Sequence, residues 1–216
     1  MDNIESPPEP SESREESGNN FSCSYSFVVY DKDGNIVNKS LEIDGKCFLK
    51  AFIQIWYHWF CCGYNENSPT AQTRACIDIL GSPFDIVGVR ATFTPDLVVC
   101  SENDLSCGIV VGNGSTPTAI DDNALESQYL GDVFGYAATA VVGDVPTISG
   151  NVLSITFLRL FENITDISQN ISEIGLYAKR FGLTRYYAML RDVLVTNISV
   201  PPGGLVGIKY TISLNS

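Results

Sequence analysis

Between Leu205 and Leu214, Val206, Ile208, Tyr210, Ile212 and Leu214 alternate with Gly207, Lys209, Thr211 and Ser213. A period of two gives one apolar face and one small or polar face, the pattern of a half-buried strand. Short apolar segments bounded by Gly, Pro, Asn and Ser recur through the chain. They run over Ser24–Tyr30, Ala75–Leu80, Ile86–Phe93, Leu97–Cys100, Gly108–Gly112, Phe134–Val142, Val152–Phe161, Ser172–Ala178 and Tyr186–Leu194. Many short strands separated by turn formers predict a mainly β fold, an antiparallel β-sandwich of jelly-roll type. Asp33-Gly34 is a hairpin turn signal. The surrounding DKDGN lacks the third acidic ligand and the distal Glu of an EF-hand loop, so calcium is not expected there.

One segment breaks the β pattern. In Phe48–Cys62, Phe48, Phe52, Ile55, Trp56 and Trp59 recur at three- and four-residue spacing. Leu49, Ile53 and Phe60 widen the stripe, and Lys50 and Gln54 lie on another side. This predicts an amphipathic helix over 48–62, closed by Gly63. A helix so rich in aromatics must cover a sheet face or a neighbouring subunit. It is too short to span a bilayer, and its polar face is not basic.

Residues 1–20 form a separate acidic arm. Asp2, Glu5, Glu9, Glu12, Glu15 and Glu16 stand against Arg14 alone, and Pro7, Pro8 and Pro10 interrupt regular structure. So little apolar surface cannot offset the entropy of ordering, so the arm is expected to be solvated unless a partner orders it. Residues 21–216 then make a single sandwich domain.

Net charge narrows the function classes. The 216 residues carry 13 Lys and Arg against 25 Asp and Glu, a net −12. A polyanion repels phosphate backbones, which disfavours nucleic acid as a partner. No apolar run reaches the roughly 18 residues of a membrane span, and the acidic, Pro-rich start is unlike a signal peptide. The expectation is synthesis in the cytoplasm and no membrane partner. N-x-S/T sequons, among them those at Asn38, Asn113, Asn163, Asn170 and Asn197, would then be surface composition and not glycan sites.

Reactive residues are sparse. The seven cysteines are an odd number and contain no CxxC pair. Cys100 and Cys107 flank a polar, turn-forming stretch, where a disulfide and a pair of buried free thiols both remain open. The sole histidine, His58, lies on the aromatic helix beside Cys61 and Cys62, where a packing role outweighs zinc. Asp121, Asp122 and Glu126 are read as a capped helical turn in preference to a metal cluster. Gly112-Asn113-Gly114 lacks the rest of a nucleotide-binding loop, and neither a nucleophile elbow nor an HExxH helix occurs. No catalytic, cofactor-binding or metal-ligating residue is therefore assigned, no cofactor is expected, and the chain is read as a non-enzyme. The candidate functional residues are interface residues: Phe52, Trp56 and Trp59 on the helix, and Val206, Ile208 and Tyr210 on the last strand. A terminal strand can pair at a sheet edge with another copy, which makes a homo-oligomer the expected assembly.

Several segments, in order, resemble a known group. Gly108–Thr116 with Ile120–Glu126 is similar to a "GIVVGTG-(S/T)…(I/V)DDYALE" stretch, with Asn123 where Tyr is usual. Phe157–Asn163 followed by Ile174–Tyr177 is similar to "R-x-F-x-N…E-(I/V)-GLY". Leu190–Leu194, Val200–Gly204 and Tyr210–Ser213 resemble "ARDVL…VP-x-GG…YTIS", and Phe48–Tyr57 resembles an "FLxxFLxxLY" helix. Together they cover residues 48–214 and resemble virion structural proteins of tailed phages and related viruses. The resemblance implies a capsid-decorating, tail or fibre component that acts in assembly and contacts other virion proteins such as the capsid or tail. It implies a virion location, suggests three-fold symmetry, and carries no catalytic residue. A host receptor-binding adhesin of the virion is the alternative.

Overall fold

The computed structural model describes residues 20–45, 48–61, 75–85, 98–143, 146–179 and 185–215. The predicted arm, the predicted strand Ile86–Phe93, and the side chains of Trp56, His58 and Trp59 lie outside the described residues.

The chain is an antiparallel β-sandwich. The large sheet runs β2 (Ile36–Lys39), β1 (Asn20–Tyr30), β13 (Leu205–Asn215), β10 (Val152–Asn163), β7 (Phe134–Tyr136). Three short strands join it: β3 (Ile43–Gly45) on β1, and β8 (Ala140–Val141) and β9 (Thr147–Ser149) on β10. The small sheet runs β12 (Tyr186–Val200), β11 (Gln169–Lys179), β6 (Gly108–Gly112). A separate ribbon pairs β4 (Ala75–Ile77) with β5 (Pro83–Asp85). The helix α1 spans Lys50–Cys61, slightly inside the predicted limits, and contacts β12 and β4.

Period-two alternation sets the inner face of the large sheet. Tyr25, Val29, Phe157, Phe161, Val206, Ile208 and Tyr210 all point inward and are buried. They meet Ile109, Val110 and Val111 of β6, Ile171, Ile174 and Leu176 of β11, and Leu190, Ile198 and Val200 of β12 in one core cluster. Phe52 of α1 joins that cluster and takes the edge of the Phe21 ring at 6.3 Å between centroids. The Asp33-Gly34 turn forms as read: Gly34 has φ +84°, and the Asp31 carboxylate accepts the N–H groups of Asp33 and Asn35. That carboxylate is spent on its own turn.

Two expectations are corrected. First, β13 is not an edge strand. It pairs with β1 over Leu205–Asn215 on one side and with β10 over the same residues on the other. Val206, Ile208 and Tyr210 are fully buried in the core and cannot form a contact between subunits. The last strand in sequence inserted between two earlier ones because both its edges and its apolar face gain from it. Second, Asp121–Glu126 is not a helical turn. The Asp122 side chain turns back to accept the Ala119 N–H at 2.9 Å, and the N–H groups of Glu126 and Ser127 are drawn to a buried carboxylate described below.

Candidate functional site: the motif clamps

β11 is buried on both faces. Its inner face meets the large sheet, and its outer face, with Glu173, Gly175 and Tyr177, lies under the segment 113–129. Leu125 packs on Gly175, where a Cβ would stand 3.0 Å from the leucine methyl. The Leu125 N–H donates to the Tyr177 hydroxyl at 2.6 Å.

Glu173 is the centre of this layer and is fully buried. Its Oε1 accepts N–H groups from Gly114 at 3.1 Å and Ser127 at 2.7 Å. Its Oε2 accepts the Glu126 N–H and the Arg191 Nε–H, each at 3.0 Å. Gly112 and Gly114 must be glycine for this approach, since a Cβ on either would lie 2.6 or 2.5 Å from Oε1. The GNG segment thus does cradle an anion, but the anion is the protein's own carboxylate.

Arg191, opposite Gly175 on β12, joins the pieces. Besides Glu173 it donates to Asp122 at 2.6 Å and to the Thr116 carbonyl at 3.1 Å. Burial opposes its charge, but Asp122 and Glu173 outweigh burial and hold its pKa above the ordinary value. Glu126 closes the segment at the surface. It accepts the N–H groups of Ser115 and Thr116, both at 2.7 Å, and the Thr116 hydroxyl at 2.6 Å. Those hydrogen bonds, that of the Thr116 side chain first, hold its carboxyl below the usual range.

A second clamp sits between the sheets. Arg159 on β10 is fully buried, and each of its five N–H groups has a backbone carbonyl. Nε donates to Ala137 at 2.7 Å, and Nη1 to Cys107 and Ile109 at 2.8 and 2.9 Å. Nη2 donates to Asp104 at 2.7 Å and Ser101 at 3.5 Å. The guanidinium lies 4.8 Å from the Tyr136 ring centroid. Burial lowers its pKa to about 10, against the pull of Tyr136 and Asp104. Three of the five carbonyls belong to the loop closed by a disulfide between Cys100 and Cys107, whose Cα atoms are 5.8 Å apart. This settles the alternative left open by the sequence. Asp104 lies close enough to both sulfurs to suggest a metal site, but the sulfurs are bonded to each other.

Four residues further along β10, buried Asn163 holds the VPPGG turn. Its amide donates to the carbonyls of Ile167, Val200 and Pro201, and its oxygen accepts the Thr165 N–H and hydroxyl. Gly203, with φ +63°, completes the turn by donating its N–H to the Asn163 carbonyl. The sequon at Asn163 is thereby closed to modification.

Of the predicted interface residues, Phe52 is core, as are Val206, Ile208 and Tyr210. Sequence reasoning passed over Glu173 and Arg159 as individual residues and took Asn163 only as a sequon. Parity offered a signal for two of them: Arg159 and Asn163 share the period of Phe157 and Phe161, which places both on the core face. A shallow apolar groove of about 250 Å3 also opens between β1, β3 and the irregular stretch Leu194–Thr196 of β12, lined by Tyr25, Phe27, Ile43, Leu194 and Val195. No family model, curated protein or solved structure matches this chain.

Proposed function

We propose that the chain is a non-enzymatic structural subunit of a tailed-phage virion, a capsid-decorating, tail or fibre component made in the host cytoplasm. The supporting observation is where the virion-like motifs meet. Gly114 and Glu126 of the first and Arg191 of the third bond Glu173 directly, Thr116 and Asp122 of the first are tied to it through Arg191, and Tyr177 of the second accepts the N–H of Leu125 in the same segment. A catalytic carboxylate needs an oxygen free to meet substrate. Each oxygen of Glu173 instead accepts two donors from the protein, which supports a role in fixing a surface segment over one in catalysis. The adhesin reading would rest on the apolar groove. Its lining joins Tyr25 and Phe27 to Ile43, Leu194 and Val195, and of the two rings on which a sugar would stack Tyr25 is buried, which favours the subunit reading. Purification of particles from infected cells tests it: the chain is expected at stoichiometric copy number and assignable in the particle's density. Its absence from particles, or turnover of a glycan by the isolated protein, would overturn the proposal.

A further inference from the structure

The inner face of the large sheet runs on to exposed apolar residues at one end. At the end where β1 begins and β13 finishes, the cross-strand register sets Phe21, Leu214, Leu153 and Ile148 side by side. Directly opposed residues share a face. This row has the parity of Tyr25, Phe157 and Tyr210, so it continues the core face. Yet Phe21 is 44% exposed, Leu153 40% and Ile148 75%, and Ile155 in the next row is 38% exposed. A core-type face therefore runs out into solvent.

Among the described residues, the segments of β1, β9, β10 and β13 at this end carry no charged side chain. Residues 20–30, 146–158 and 210–216 contain no Asp, Glu, Lys or Arg, in a chain of net −12. The acid of β3, Asp44, lies opposite Ser24 and so on the other face. We infer that this overhang is the contact between two copies of the chain, each laying its uncovered inner face on that of its partner about a two-fold axis. Identical polyanions repel wherever their charges meet, and an uncharged apolar face is where they can approach closely. Such a patch is self-complementary, as a two-fold contact requires. Two sheet faces stacked this way would extend each sandwich with its partner's sheet. The acidic arm is a poor occupant: it would bring six carboxylates to an apolar face with only Met1 and Ile4 to bury. A bilayer is a poor one too, since anionic headgroups repel the chain and these strand segments offer no Lys or Arg.

The inference deepens the subunit reading and rests on it in taking self-assembly as the protein's task. The test is the solution mass of the full chain across about 1–100 µM, the range of ordinary specific contacts. The wild type is expected to be a dimer. Ile148→Glu should weaken it by at least about tenfold, with a melting temperature unchanged at dilutions where both proteins are monomers, because a charge is brought to the centre of an apolar contact. Val195→Glu, on the separate groove, should leave the dimer intact. A monomeric wild type, an Ile148→Glu protein that dimerises as before, or disruption by Val195→Glu alone would overturn the inference. Particle incorporation reads the subunit proposal separately: a dimer never found in particles sinks that proposal alone, and a monomer found in particles sinks this inference alone.

Discussion

The layer around Glu173 and the open end of the large sheet stand at opposite extremes of composition. The first concentrates charge: Asp122, Glu126, Glu173 and Arg191 share one network, and it is largely buried. The second has no charged side chain on its described strand segments, yet leaves Phe21 44%, Leu153 40% and Ile148 75% exposed. Ordinary partitioning would reverse this. Buried charge is tolerated where every donor and acceptor is matched, and it then specifies one arrangement of a long segment. Apolar surface left in water has no such compensation within the chain, so it points to a partner. The interior network serves the fold, and the apolar end is the site proposed for assembly.

That division can be broken experimentally, most severely at Arg159. Arg159→Leu would take the guanidinium donors from the carbonyls of Cys107, Ile109, Asp104 and Ala137, and a loss of about 3–5 kcal/mol is expected in urea unfolding. Retained stability would mean that the carbonyl cage relaxes and that the clamp is not structural. Glu173→Gln comes next, at about 2–4 kcal/mol. The amide keeps one acceptor, but its NH2 faces the N–H groups or the guanidinium that the carboxylate received. Hydrogen exchange should speed up at Gly114, Glu126 and Ser127, and unchanged protection there would refute the clamp. Cys100→Ser removes a bridge of sequence separation 7, for which loop entropy gives about 2–3 kcal/mol. Comparing its melting point with that of the wild type, with and without reductant, isolates this contribution.

Acid should have a smaller effect. The Glu126 carboxyl titrates below its ordinary 4.5 in the folded state because Thr116 and Ser115 hydrogen-bond the charged form. Its contribution to stability is therefore complete above the unfolded value and is lost as pH falls through the folded one. Glu126→Gln should flatten the fall in urea midpoint between about pH 5 and 3 relative to the wild type, and identical profiles would remove Glu126 from the network. The smallest stability effect belongs to the opposite region. Ile148→Glu should change unfolding free energy by no more than about 0.5 kcal/mol, as for an ordinary surface site, while it abolishes the dimer. A large loss of stability would show that Ile148 is core and that the two regions do not differ as argued.

The fold class was legible because alternation and turn chemistry are local. Val206 to Leu214 read as a strand with one buried face, and Asp33-Gly34 as a hairpin turn, from a few residues each. The helix was legible from its aromatic spacing. What local pattern could not supply was the neighbour of each strand. The last strand looked free at its edge, and only the order β1-β13-β10 showed that Val206, Ile208 and Tyr210 are interior. The disulfide was undecided because a short polar spacing permits either state, and the Cα separation across the loop is a tertiary quantity. Asp122 and Glu126 looked like helix-capping residues because nothing local reveals a buried carboxylate about fifty residues away drawing off the N–H groups of the same segment. The sequence by itself determined which residues turn inward, through periodicity and turn preference. Tertiary structure alone decided which buried polar atoms face each other and which apolar face is left uncovered, since both depend on pairings between residues far apart in the chain.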